Sequence, residues 1–115
     1  MKSRTQYRKG CARTLVLKLL SERPMYGYEI AITLAQRSEN VFSLEQGTLY
    51  PLLYSLERKE MIHISKKIKD KKTSRTRLYY SLTKKGKETL EQDLATWADI
   101  EKGMSLILRA SYVNC

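Results

Sequence analysis

A chain of 115 residues has room for one domain with a small core, and 42% apolar residues with only five glycines and two prolines exclude a disordered or fibrous chain. Its net charge of +10 is uneven: residues 1–80 hold seventeen Lys/Arg against seven Asp/Glu, and residues 81–115 hold five of each. That asymmetry suits a polyanion, with a solvated basic face or a membrane-surface patch as the plain alternatives, while Cys11 and Cys115, with no CxxC or Cys/His cluster, argue against a disulfide framework or a zinc site.

Residues 1–9 carry Lys2, Arg4, Arg8 and Lys9 and no acid, and are expected to fray. A first helix is predicted from Gly10 to Ser21, burying Cys11, Leu15 and Leu19, until Glu22-Arg-Pro24 breaks it. Cys11 reads as a small core residue rather than a redox switch. The run from Thr14 to Leu20 is interrupted by Lys18 and is too short for a secretory leader or a membrane span, so the expected location is cytoplasmic.

A second helix is predicted from near Tyr26 to Arg37, with Ile30, Ala31 and Leu34 inward, and Ser38-Glu-Asn40 as the turn after it. Ser43 with Gln46 three residues on is a capping-box pattern, so a third helix is predicted to begin at Ser43. Leu49, Leu52, Leu53 and Leu56 share its inner face. The opposite face is unusual, with Gly47, Pro51, Tyr54 and Arg58 flanked by Thr48, Tyr50 and Ser55. A proline inside a helix costs about 3 kcal/mol and clashes with the carbonyl four residues back, which here belongs to Gly47. A kinked structural helix is the bland account. The sharper one is a slim, hydroxyl-bearing end whose free amides and positive dipole suit a phosphate.

Ile62–Lys69 alternates, with Ile62, Ile64 and Ile68 on one face and His63, Ser65, Lys67 and Lys69 on the other. Arg75–Leu82 alternates as well, with Leu78, Tyr80 and Leu82 inward and Arg75, Arg77 and Tyr79 outward. Asp70–Ser74 between them suits a hairpin loop. A helix followed by a hairpin with a basic outer face outlines a winged helix-turn-helix. The predicted class is therefore mainly α with a small β-hairpin, in which residues 1–82 form the DNA-binding part. In a helix-turn-helix the first of the paired helices crosses the backbone, which brings Tyr26 within reach of a phosphate.

Residues 83–115 are predicted to form a C-terminal dimerisation helix, capped by Thr83. Leu90, Leu94, Trp97, Ile100, Met104, Ile107 and Leu108 recur at spacings of three and four to make one apolar stripe. A helix of roughly 40 Å outruns a small winged helix, so a second copy is its expected cover.

Several short motifs fall in one order and spacing: Pro24-Met-Tyr-Gly-Tyr-Glu-Ile30, Gly47-Thr-Leu-Tyr-Pro51, Leu56-Glu57, Tyr79-Tyr80 and Leu82-Thr83-Lys-Lys-Gly86. In these the chain resembles the PadR family of bacterial transcriptional regulators over most of its length. It departs at the wing, where the family often has paired glycines before its arginines and this chain has Thr73-Ser74. The resemblance implies a repressor that dimerises through its C-terminal helix and responds to a small hydrophobic or phenolic ligand.

No catalytic constellation can be assembled, since the single histidine, His63, opens a strand with no triad or Cys/His partner, and an enzyme is rejected. No cofactor is called for. The expected function is sequence-specific binding of double-stranded DNA at a palindromic operator by a homodimer. Gln46, Thr48, Tyr50 and Tyr54 are the candidates for base and phosphate contacts, and Lys67, Lys69, Arg75 and Arg77 for phosphate contacts. Trp97 is read first as an interface anchor and second as one wall of a gap, near the two-fold axis, that takes a planar aromatic effector. The alternatives are a winged-helix module that meets an acidic protein, and non-specific nucleic-acid coating.

Overall fold

The computed structural model describes residues 2–113, with side-chain surroundings from Gly10 to Arg109. Its elements in order are α1 (Lys2–Glu22), β1 (Met25–Tyr26), α2 (Gly27–Arg37), α3 (Gln46–Arg58), β2 (Ile62–Lys69), β3 (Thr76–Leu82) and α4 (Lys84–Val113). The core gathers Val16 and Leu17 of α1, Met25, Ile30, Leu49, Leu53, Leu56, Ile62 and Tyr80. This is the expected winged helix-turn-helix, mainly α, with a long last helix.

Local details correct or extend the expectations. The first helix begins at Lys2 rather than Gly10, so the basic N-terminal residues extend it. Its buried face is Ala12, Val16, Leu17, Leu19 and Leu20, with Cys11 and Leu15 only half-buried. Burial pushes the Cys11 thiol above its ordinary value. The sheet has three antiparallel strands in the order β1-β3-β2, because Met25 pairs with Tyr80 and Tyr26 with Tyr79.

The third helix starts at Gln46, not Ser43. Glu45 is its extended N-cap, and the Glu45 carbonyl accepts from the amides of Thr48 and Leu49 at 2.9 and 2.8 Å. The serine that organises the preceding turn is Ser38: its hydroxyl donates to the Leu34 carbonyl at 2.8 Å and accepts from the Phe42 amide at 3.0 Å. Glu39 and Asn40, at φ 52° and 66°, supply the left-handed step that reverses the chain. The turn therefore continues past Asn40 to Glu45.

The start of α4 is locked down. Thr83 Oγ1 accepts from the Gly86 amide at 3.0 Å, as a cap should, and donates to the Glu60 carbonyl at 2.6 Å. Only glycine fits at residue 86, since a Cβ there would lie 2.0 Å from the Met61 carbonyl oxygen. Leu90 closes the core of its own chain, so the inner end of the predicted dimer stripe is already covered. Beyond it Leu94, Ile100, Met104, Leu106, Ile107 and Leu108 are exposed.

Candidate nucleic-acid interface

The outward side of α3 begins with Gln46, Gly47 and Thr48, all exposed, followed by Pro51, Tyr54 and Arg58. A Cβ on Gly47 would meet nothing within 4 Å, so packing inside the chain does not demand a glycine there. Tyr50 is half-buried. Its ring lies on the first residue of α2, where a Cβ on Gly27 would sit 2.8 Å from the Tyr50 hydroxyl. Tyr54 tilts against it, with ring centroids 6.3 Å apart. The amides of Gln46 and Gly47, the first two of α3, precede the first intrahelical bonds, which the Thr48 and Leu49 amides make to Glu45, and lie at the positive dipole end of the helix.

Facing α3 is the wing, and between them runs a cleft of about 520 Å³. Gln46, Tyr50 and Tyr54 of α3 and Asp70, Thr73, Arg75, Thr76 and Arg77 of the wing line it, with Tyr26, Tyr28 and Tyr80 completing the lining. Thr48 is exposed on α3 but lies outside the cleft. Arg75 belongs to the wing loop, one residue before β3 begins.

The wing departs from simple alternation. Ile64 pairs with Tyr80, but Lys66 pairs with Tyr79, leaving Ser65 as a bulge. Beyond it Lys67 stands opposite Leu78, Ile68 opposite Arg77 and Lys69 opposite Thr76. Residues paired across two strands share a face. Lys67 and Lys69 are therefore on the face of Leu78, and Lys66 and Ile68 share the face of Tyr79 and Arg77. The expected grouping of Lys67 and Lys69 with Arg77, and of Ile68 with the inner face, is overturned by one extra residue.

That outer face is built on rings. Tyr26 and Tyr79 meet edge to face with centroids 5.3 Å apart. Lys66 Nζ lies 4.9 Å from the Tyr79 centroid, and the Arg77 guanidinium 4.8 Å from that of Tyr26. Tyr26, expected to meet a phosphate, here carries Arg77. Neither Tyr79 nor Lys66 was among the expected contacts, because only the bulge brings them together.

At the wing tip the Asp70 amide donates to the Arg75 carbonyl at 2.7 Å, and Asp70 Oδ1 accepts from the Lys72 amide at 2.8 Å. Ser74 takes φ 60° where the resembled family often has glycine, and its amide donates to the Asp70 carbonyl at 2.9 Å. The Lys72 amide, with Thr73 and the charge of Arg77, holds the Asp70 carboxyl below its ordinary value. Residues 62–82 contain seven Lys/Arg and a single acid, Asp70. Among the described residues only Arg77 of these cations has an acid within reach, Asp70 at 3.7 Å.

Trp97 does not line this cleft. Its indole Nε1 donates to Thr14 Oγ1 at 3.2 Å, so one edge of the ring is tied to α1. Beside it Gly10, Arg13, Thr14, Asp93, Thr96 and Ile100 complete a second cleft of about 390 Å³. His63 is exposed on β2, and among the described residues no group of three or more His, Cys, Asp or Glu could hold a metal. No helix among those residues is long and apolar enough to cross a membrane.

Known proteins share this fold. The sequence pattern of the Transcriptional regulator PadR-like family matches residues 16–92. Uncharacterized protein X of Lysinibacillus sphaericus is 31% identical over 100 residues, 87% of this chain and 90% of that protein. A PadR family transcription regulator from Clostridium difficile superposes with a TM-score of 0.72 at 34% identity, over 85% of this chain and 98% of that one. A PadR-like transcriptional regulator from Bacillus cereus gives 0.75 at 27% identity, over 90% and 96%. With the family's pattern spanning the helix-turn-helix, the wing and the base of α4, the chain belongs to the PadR-like transcriptional regulators and is no enzyme.

Proposed function

We propose that the protein is a homodimeric repressor that binds a two-fold symmetric DNA site and is released by a small planar aromatic compound. The observation that carries the reading is the cleft between the start of α3 and the wing, where a slim, hydroxyl-bearing helix end faces a strand pair rich in unpaired cations. Gln46, Thr48, Tyr50 and Tyr54 meet base edges and nearby phosphates; Arg75 and Arg77 grip the backbone, with Lys67 and Lys69 adding charge from the other face of the wing. Tyr26 contributes by supporting Arg77.

Residues 1–82 act as the DNA-binding part and 83–115 as the dimerisation helix. The exposed stripe of Leu94, Ile100, Met104 and Leu108 supports self-association, since so long an apolar strip is costly to leave in water. Two-fold symmetry then matches paired half-sites. Trp97 from each copy walls the effector gap, and an effector acts only by its difference in affinity between the bound and released arrangements.

Sequencing the genomic fragments that the protein retains at physiological salt, in competition with random DNA, tests the reading. A recurrent inverted repeat is expected; retention that follows fragment length alone would reduce the protein to a non-specific binder. Quenching of its single tryptophan by planar aromatic dyes, with parallel loss of that DNA, is expected of an effector site. Dyes that neither quench nor release DNA would remove the ligand step.

A further inference from the structure

The side chains that tie α4 to α1 sit outside the DNA cleft and just outside the stretch that matches the family, residues 16–92. Arg13 donates to Asp93 twice, Nε to Oδ2 at 2.9 Å and Nη2 to Oδ1 at 2.6 Å. Thr14 Oγ1 donates to Asp93 Oδ2 at 3.0 Å, and the same oxygen accepts from Trp97 Nε1 at 3.2 Å. One carboxylate thus takes three hydrogen bonds from two successive residues of α1, and the hydroxyl it orients holds an indole one turn further along α4. Thr14 is the only polar residue counted as buried among the described residues, so this arrangement was placed at a cost in desolvation. The paired guanidinium–carboxylate geometry is directional and resists rotation of one helix against the other.

Two fixed points define the direction of a rod. The first on α4 is its base, where Thr83 caps the helix, Gly86 abuts Met61 and Leu90 enters the core. The second is Asp93. From there α4 continues to Val113, about 30 Å further at 1.5 Å per residue. A tilt of roughly 10° at the second point would swing the far end by about 5 Å, more than the 3.4 Å separating successive base pairs.

We propose that Asp93 is a positioning residue for DNA recognition: by clasping α1 through Arg13 and Thr14 it sets the direction of α4, and with it the spacing of the two recognition helices in the dimer. The inference rests on the dimeric-operator reading above. Asp93 touches no DNA in this account. Its removal leaves each winged helix able to read its half-site and relaxes only the distance between them.

The test uses full-length protein to select duplexes from a library with a randomised core, and sequencing gives both the half-site and the spacing between half-sites. The parent protein is expected to favour one spacing. In Asp93→Ala that preference over spacings one base pair longer or shorter should fall by about fivefold, the lower end of usual coupling between sites. The selected half-site sequence should not change. Reduced stability alone would lower affinity for all duplexes without moving the spacing. Should Asp93→Ala fail to fold, Arg13→Met decides by the same criterion, because the Arg13 side chain is 43% exposed and its loss removes two of the three bonds to Asp93. A folded variant with the parental spacing preference overturns the proposal. A parent protein that selects only single half-sites overturns the dimeric-operator reading itself, and the proposal with it.

Discussion

The two ends of the apolar stripe on α4 meet opposite fates. In the first half Leu90 is 6% exposed in the core, and Asp93 and Trp97 are bonded to α1. In the second half Met104 is 46% and Leu108 48% exposed. Nothing in the spacing of apolar residues separates them, since a period of three and four reports a face and not what lies on it. The difference comes from the partner helix, because α1 covers α4 only near its base. The base of α4 is part of the fold, while most of the stripe beyond Leu90 is left exposed.

Glycines sharpen that contrast most. Gly86→Ala should destabilise the protein by about 3 kcal/mol, at the upper end for overpacking, because its Cβ would have to displace the Met61 backbone carbonyl. At Gly103 a Cβ would meet nothing within 4 Å, so Gly103→Ala should gain up to about 1 kcal/mol of helix propensity in the monomer. Urea unfolding of dilute protein compares the two, and equal effects would erase the distinction between the halves.

Next in size is the exposed stripe. Met104→Asp and Leu108→Asp lie one turn apart, and each should weaken self-association by about 30-fold, the 2 kcal/mol expected of a buried anchor. Monomer stability should stay within about 0.5 kcal/mol. Sedimentation across a concentration series reads the first quantity and urea unfolding the second. Unfolding in either variant would mean that these side chains pack within their own chain.

The wing repeats the contrast between a covered base and an exposed tip. Arg75→Ala and Arg77→Ala should each lower the dependence of log affinity on log salt by about one unit per lost phosphate contact. The Arg77 change should also loosen Tyr26, whose ring it covers. A slope unchanged with both arginines removed would take the wing off the DNA.

The smallest expected effect is a pH dependence at the tied end of the fold. Burial, then the charge of Glu57 and the neighbouring phenols of Tyr54 and Tyr50, push the Tyr80 phenol above its ordinary value. The folded state therefore keeps a proton that the unfolded state has already released. Stability from this group is complete below the ordinary tyrosine range and is lost as pH rises from there through the raised value. Tyr80→Phe should flatten that alkaline decline, measured as melting temperature against pH. An unaltered decline would assign it to other groups.

Much of the fold could be read from residue type and period. The inner face of α3, the inward Leu78 and Tyr80 of β3, and the Thr83 cap all follow from local rules and recur in the structure. What escaped the sequence is of three kinds. Met25–Tyr26 is too short for alternation to mark a strand, and only its pairing with β3 makes it one. The Ser65 bulge shifts a period of two by one residue, which leaves the composition of the strand unchanged while moving Lys66, Lys67 and Ile68 to the other face. The bond from Trp97 to Thr14 joins residues 83 apart in sequence, a distance at which no local pattern operates. The cleft tyrosines were individually visible, but their convergence depended on the same long-range packing.

The bulge has a bearing on how such a wing can change over generations. A strand with one surplus residue can lose one without tearing its hydrogen-bond ladder, because closing the bulge absorbs the deletion. Deletion of Ser65 would leave Lys66 opposite Tyr79 and every later cation where it stands. Deletion of Lys67 would close the same bulge from the other side, bringing Ser65 opposite Tyr79 and sending Lys66 to the face of Leu78. Two length variants with nearly the same composition would thus present different charge patterns, so a single lost codon in β2 redraws the basic surface in one step where point substitution would need several.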